Sequence, residues 1–242
     1  MVYSDVATPS AIPDACAIQT TDLHRHYEIG GNTVRAVDGV SIAIGGGEFC
    51  ALLGPSGSGK STLLGVLAGM DRPTSGSVTV HGTDLASLPR ERLAGYRLLT
   101  AGMIFQAFNL IPSMTLLENV ELPMRFADVE RKQRNQLARE ALERVGLADR
   151  ASHRPRELSG GQQQRGAIAR AIINHPKILF ADEPTGNLDS RTGAEIMELI
   201  RNLNQQKGMT VLVVTHERDL ATRYAGRMLG MADGVLVEDR TI

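Results

Sequence analysis

The run Gly54-Pro55-Ser56-Gly57-Ser58-Gly59-Lys60-Ser61-Thr62 fits G-x-x-x-x-G-K-[ST] in full. Glycines at that spacing let the backbone curl until its N–H groups converge on one point, which suits a phosphate. The apolar run Phe49 to Leu53 precedes the loop and the helical run Leu63 to Met70 follows it, so a helix N-terminus adds positive potential at the same point. Lys60 is then placed to reach β- and γ-phosphate oxygens, and the Ser61 hydroxyl to reach a magnesium ion. A glycine-rich turn that merely contains a lysine is the alternative, and the strand before and helix after argue against it. The loop leaves the use of the nucleotide open, because kinases, GTPases, helicases and transport ATPases share it.

Two further segments bear on that use. Leu158-Ser159-Gly160-Gly161-Gln162-Gln163-Gln164-Arg165 opens a helix carrying Ala167, Ile168, Ala171 and Ile172, and so offers a second set of helix-start amides to an anion. Taken alone it reads equally as an N-capped helix with a flexible entry. Asp182 and Glu183 end the apolar run Ile178 to Ala181. A carboxylate at such a strand end can hold a magnesium shell through water, and its neighbour can polarise an attacking water. By itself an Asp-Glu-Pro sequence is often only a turn.

These residues must be held by a sheet and its helices. Alternation over Val40 to Ile44 and the run Phe49 to Leu53 predict two strands around the turn Gly45-Gly46-Gly47, and Ile178–Ala181 and Val211–Val214 predict buried strands. Short apolar runs bounded by polar residues suit a parallel sheet. Ile196, Leu199, Ile200 and Leu203 follow a helical stripe ended by Gly208. Leu137, Ala141, Leu142 and Val145 do the same on a charged segment stopped by Gly146, whose charges read as a solvated face. The layout is an α/β unit interrupted by a mainly helical stretch from about 108 to 166.

At 242 residues and net charge −1, with interspersed signs, the chain carries no global field for nucleic acid or an anionic membrane. Cys16 and Cys50 are too few for a disulfide framework or a zinc site and read as thiols. No apolar run is long enough to span a bilayer as a helix. Residues 1–16 read as a flexible tail unlike a secretion signal, leaving 17–242 as the folded domain.

The segments GPSGSGKST, LSGGQQQR and ILFADEPTGNLD, in that order, resemble the ATP-binding domain of ABC ATPases over most of the chain. The resemblance implies a P-loop NTPase with a RecA-like parallel core, an N-terminal antiparallel β-subdomain and an inserted α-helical subdomain. It also implies ATP and Mg²⁺ as ligands, with Ser61, Gln106 and Asp182 around the metal and Glu183, His216 and Lys60 in hydrolysis. Two copies would close head to tail, so that Ser159, Gly160, Gly161 and Gln162 of one cover the phosphates held by the other, with Asp189 in the loop crossing the interface. Tyr27, with His26 beside it, is the candidate for stacking on adenine. Phe108 to Thr115 reads either as part of a groove for a membrane protein's coupling helix or as subdomain core.

Further, FQAFNLIPSMTLLENVELPM is similar to the subgroup of lipoprotein-releasing, macrolide- and peptide-exporting and cell-division ATPases, with Gln162 and Gln163 leaning toward export. The expected partner is an integral membrane permease on a separate chain, at the cytoplasmic face of the cell membrane, with no nucleic acid involved. The alternative is an ABC ATPase that transmits conformational change to a cell-division or cell-wall complex without transport. Gly166 stands where the family usually has valine, and helix propensity alone predicts a loss of about 1 kcal/mol against alanine and a looser helix.

Overall fold

The structure, a computed structural model, describes residues 16–242, so the expected tail lies outside the described residues except for Cys16. In chain order the strands are β1 (Ile18–Ile29), β2 (Asn32–Val40), β3 (Ala43–Ile44), β4 (Phe49–Leu53), β5 (Ser75–Val80), β6 (Thr83–Asp84), β7 (Ala101–Ile104), β8 (Ile178–Asp182), β9 (Thr210–Val214), β10 (Arg227–Ala232) and β11 (Val235–Thr241). The α-helices are α1 (Lys60–Leu67), α2 (Arg90–Leu99), α3 (Leu116–Phe126), α4 (Arg131–Arg144), α5 (Gly160–Ile172), α6 (Ser190–Lys207) and α7 (Arg218–Tyr224).

The larger sheet has six strands in the order β11-β10-β4-β9-β8-β7, parallel except for β11 at its edge. β4, β8 and β9 are apolar on both faces because both faces are covered. Cys50, Leu52, Phe180, Leu212 and Val214 pack into the core shared with α1 and the smaller sheet, whereas Phe49, Ala51, Leu179, Val211 and Val213 pack against α5, α6 and α7. Both cysteines are free, and burial pushes the Cys50 thiol up, so it is an inert part of the core.

The smaller sheet is antiparallel, with order β2-β1-β5-β6 and β3 paired to β1. Here the sequence expectation needs correction. Val40 to Ile44 is not one strand hairpinned to Phe49 to Leu53, because Val40 ends β2, while Ala43 and Ile44 pair with Gln19 and Ile18. Gly45 to Gly47 therefore carries the chain from one sheet to the other. Period-two alternation cannot distinguish a hairpin from a crossing between layers, since both alternate.

The helical stripes stand as read. α6 buries Ile196, Met197 and Ile200 and ends at Gly208, whose φ of 61° is left-handed. α4 buries Ala138, Ala141 and Leu142 against α3. A third apolar cluster, including Leu116, Val120, Met124, Leu142 and Leu147, is shared by α3, α4 and one face of α5. α5 faces two ways: Ala167, Ala169 and Ile173 just beyond its end enter this cluster, and Ile168 and Ile172 enter the sheet core. The helical part is thus built onto the core through α5. Its entry helix α3 is started by a capping box, in which Thr115 Oγ1 accepts from Glu118 N at 3.2 Å and Glu118 Oε2 accepts from Thr115 N at 2.8 Å.

Gly166 acquires a reason that propensity does not supply. A Cβ built there would lie 2.4 Å from Leu116 Cδ1, and Leu116 is fully buried. The glycine is the socket for the first residue of α3, so a side chain there collides before any helix propensity is gained. We predict that Gly166→Val destabilises the fold by about 1–3 kcal/mol through overpacking. Adding Leu116→Ala should recover much of that loss in a double-mutant cycle read by urea unfolding, and strictly additive effects would refute the socket.

Candidate active site

The register of the parallel sheet brings the phosphate loop, Asp182, Glu183 and His216 to one rim. Leu52 of β4 and Asp182 of β8 both pair with Val214 of β9, so these strands end in one row. The phosphate loop leaves β4 just past that row, Glu183 follows Asp182, and Thr215 and His216 follow Val214. A backbone bond from Thr215 N to Leu52 O at 3.1 Å and one from Glu183 N to Val214 O at 3.0 Å extend the row beyond the strands.

Lys60 begins α1 and is buried, its Nζ donating to Gly54 O and Pro55 O at 2.8 Å each. The loop thus holds its own cation against two of its carbonyls. The early amides of α1 have no carbonyl partner inside the helix and remain available to an anion. Gly59, at φ 98°, starts the helix under the carbonyl of Ala36, which would lie 1.9 Å from any Cβ placed there. Pro55, Ser56, Gly57 and Thr62 complete the curl, and the Ser58 hydroxyl is buried with no partner among the described residues.

Ser61 Oγ donates to Asp182 Oδ1 at 3.1 Å. Burial pushes the Asp182 carboxyl up, the Ser61 hydrogen bond draws it down, the Glu183 charge raises it and Lys60 lowers it. A half-buried carboxylate beside a hydroxyl, held against its own desolvation, is a good holder for a hard cation. These residues fit a magnesium ion by donor type.

Glu183 has φ 43°, a left-handed conformation uncommon outside glycine, fixed by the bond to Val214 O and by Gly186 N donating to Glu183 O at 3.0 Å. This turns its carboxylate toward His216, whose Nδ1 lies 3.5 Å from Oε1. His216 is largely exposed, which leaves space in front of the pair. Gln106 lies past β7 with its side chain against Gly186, where a Cβ would come within 2.7 Å of Nε2, and its backbone carbonyl accepts from Asn187 Nδ2 at 2.8 Å. Among the described residues its carboxamide makes no hydrogen bond, and none joins it to Ser61 or Asp182.

Ser159 caps α5: its Oγ accepts from Gln162 N at 3.3 Å while Gln162 Oε1 accepts from Ser159 N at 2.9 Å. The N-cap of the sequence reading is present, and because it uses a lone pair of the serine it leaves the Ser159 O–H free to donate. Asp189 caps α6, accepting from Thr192 N at 3.0 Å and from Thr192 Oγ1 at 2.6 Å. The two helix starts interlock: a Cβ on Gly161 would lie 2.5 Å from Thr192 Cγ2, and one on Gly160 3.2 Å from Leu188 Cδ2.

Tyr27 stands on β1, its hydroxyl donating to Asp71 Oδ2 at 2.7 Å and its ring lying 4.2 Å from the Arg25 guanidinium carbon. One ring face is occupied by that cation, and a planar base would use the other. The adjacent His26 points to Asp38 instead, on the opposite face of the strand.

Sequence reasoning missed three positioning residues. Gln164, fully buried, donates from Nε2 to Pro184 O at 2.6 Å and ties α5 to the loop after Glu183. Thr185 Oγ1 donates to Glu217 Oε1 at 3.1 Å, tying that loop to the residue after His216. Arg170 donates to the carbonyls of Phe108 and Asn109, both left-handed at φ 59° and 50°. Nothing in the local sequence marks these side chains, because each partner is distant along the chain.

The interlock of Gly161 and Thr192 yields a specific expectation. Gly161→Ala should cost about 1–3 kcal/mol in stability by overpacking, and ATPase activity should fall with it. Thr192→Ser keeps the hydroxyl on Asp189 but removes the methyl, so the double variant should regain both. Steady-state turnover and thermal unfolding measure this, and no rescue by Thr192→Ser would exclude the interlock.

Residues 37–186 match the family described as ABC transporter. An uncharacterized ABC transporter ATP-binding protein of Thermotoga maritima is 50% identical over 84% of this chain and 86% of its own length. The macrolide export ATP-binding/permease protein MacB of Chlorobaculum tepidum is 46% identical over 92% of this chain, which spans 34% of that longer protein. Among solved structures, the dimeric ATP-binding cassette MJ0796 in a post-hydrolysis state with ADP and Pi superposes with TM-score 0.86 at 41% identity, over 93% of this chain and 98% of that one. With the phosphate loop and the strand-end carboxylates gathered on one sheet rim, and with relatives this similar over most of the chain, the chain belongs to the ABC transporter ATP-binding family and is an ATP-binding ATPase.

Proposed function

We propose that this chain is the ATP-hydrolysing engine of a transporter whose membrane-spanning permease is a separate polypeptide, of the macrolide- or peptide-export or lipoprotein-release kind. The observation that carries the reading is an open groove beside the Gln106 segment. It runs between α2, β7 and α5 and is lined by Met70, Leu98, Met103, Phe105 and Asn109 among others. Leu110 lies in the helical cluster and Phe108 packs against it, so the segment Phe108 to Thr115 is in part core, while its Asn109, together with Phe105 ahead of Gln106, lines the groove. No helix among the described residues is long and apolar enough to cross a membrane, so a membrane function would require a partner segment.

In the proposed reaction water attacks the γ-phosphate of ATP in line, the bond from the γ-phosphorus to the β–γ bridging oxygen breaks, and ADP leaves opposite the new P–O bond. Lys60 exchanges its loop carbonyls for phosphate oxygens, and the amides of Gly59 to Thr62 at the start of α1 hold the β-phosphate. A magnesium ion would supply charge neutralisation at the β- and γ-oxygens, held by Ser61 and Asp182 with Gln106 at its side. Glu183 orients the water and takes its proton, and His216 steadies the same water and the γ-phosphate. In a head-to-tail dimer, Ser159 donates its free hydroxyl in a hydrogen bond to the partner's γ-phosphate alongside the amides of Gly160 and Gly161, with Gln162 beside them and Asp189 at the interface. Tyr27 stacks on adenine. Closure on ATP and opening after hydrolysis pass to the permease through the groove, whose Gln106 edge rests on Gly186 and Asn187. At the cytoplasmic face of the membrane this cycle does transport work.

Two experiments test the proposal. Glu183→Gln should lose hydrolysis by roughly two orders of magnitude or more, the scale of a lost general base, while retaining ATP and sedimenting as a dimer. Full turnover by that variant would remove Glu183 from the reaction. A photo-crosslinking residue at Met103 in the native host should capture a multi-spanning membrane protein, and one on the far side at Arg201 should not. Equal capture from both positions, or none from Met103, would dismiss the groove as the docking site.

A further inference from the structure

We propose that His24, His26 and Asp38 form a binding site for one divalent transition-metal ion of the zinc class, on the antiparallel sheet and outside the ATP site. Among the described residues these three bring one ligand atom each within 4.8 Å of one another. His24 Nδ1 lies 2.9 Å and His26 Nε2 3.0 Å from the same oxygen, Asp38 Oδ1. All three side chains are part-buried, about three-quarters covered, which leaves an opening for an ion and for a water ligand.

The strand geometry builds this convergence. His24 and His26 are two apart on β1 and so share a face, and Asp38 reaches them from β2. Register shifts on either side of Arg25 bend β1 at this point. The rings meet edge to face at 83° with centroids 5.4 Å apart, so their nitrogens converge on Asp38 instead of stacking away from it. A tetrahedral ion with ligand distances of about 2.0–2.1 Å separates its ligand atoms by about 3.3 Å, so the two nitrogen–oxygen separations need to open by only a few tenths of an ångström to admit it.

The outer contacts point the same way. His24 Nε2 lies 3.1 Å from Asp22 Oδ1, so a proton on Nε2 has a carboxylate partner and would leave the lone pair on Nδ1. That lone pair then faces a carboxylate oxygen, and only a proton or a metal cation makes the meeting favourable. Two imidazoles and one carboxylate select zinc-class ions over magnesium, which prefers all-oxygen shells. Arg35 touches only the other oxygen, Asp38 Oδ2, at 3.5 Å.

The test uses the full chain freed of any histidine tag and without nucleotide. Calorimetric titration with Zn²⁺ should give one ion per chain, retained in a large excess of Mg²⁺ and in an Asp182→Asn background. Co²⁺ should give a tetrahedral absorption spectrum with no thiolate charge-transfer band. His26→Ala and Asp38→Asn should abolish high-affinity uptake, and Asp22→Asn should weaken it by about tenfold. Should any of these misfold by circular dichroism, His24→Gln keeps a hydrogen-bonding group while removing the ligand, and should also lose the ion. The proposal is overturned if the wild type takes up no ion, if uptake survives in the ligand variants, if it disappears with Asp182→Asn alone, or if the Co²⁺ spectrum reports cysteine.

Discussion

The chemistry of this chain depends on the parallel register of β4, β9 and β8. Because Leu52, Val214 and Asp182 share one row, the points where three apolar strands give way to polar residues coincide in space. The phosphate loop, the carboxylates and His216 are then neighbours without being neighbours in sequence. A slip of one residue in β8 would turn Asp182 toward the other face and move Glu183 off the rim. The register is held from both sides by apolar cores, since Phe180, Leu212 and Leu52 bury on one face and Leu179, Val211 and Val213 on the other. Each fully buried large apolar side chain stabilises by about 1.5–3 kcal/mol, far more than any single polar contact at the rim.

Around this rim, small residues and buried polar ones join the helical part to the site. Gly166 receives Leu116, Gly161 receives the methyl of Thr192, and Gly186 receives the Gln106 side chain. Gln164 and Arg170, both on α5, bind carbonyls on the two loops that flank Glu183 and follow Gln106. Since α5 also contributes to two apolar clusters, a shift of the helical part cannot leave the loops at the rim unchanged. That mechanical linkage is what an ATPase needs if closure at its nucleotide is to be felt at a distant groove.

β1 shows a different use of strand alternation. Its odd positions, Arg25 and Tyr27, meet on Asp71 after α1, and its even positions, His24 and His26, meet on Asp38 of β2. One strand thus carries two carboxylate-anchored clusters on opposite faces, the first beside the end of the phosphate-loop helix and the second between strands.

Much of the site was legible in the sequence because its motifs are contiguous. A phosphate loop needs consecutive residues to curl one stretch of backbone, and a metal-holding aspartate needs only the end of an apolar strand. The stripes of α4 and α6 were legible for the same reason, as burial of one helix face writes its period locally. The short β3 was misread, since its partner is β1 and not its neighbour in sequence. Gly166 was misjudged because its cost is local and its reason, Leu116, lies on another helix. The sequence alone determined which groups could bind phosphate, hold a metal and move a proton. Tertiary structure decided which of them meet, through strand register and the facing of helices, because those distances are set by packing between segments that are remote along the chain.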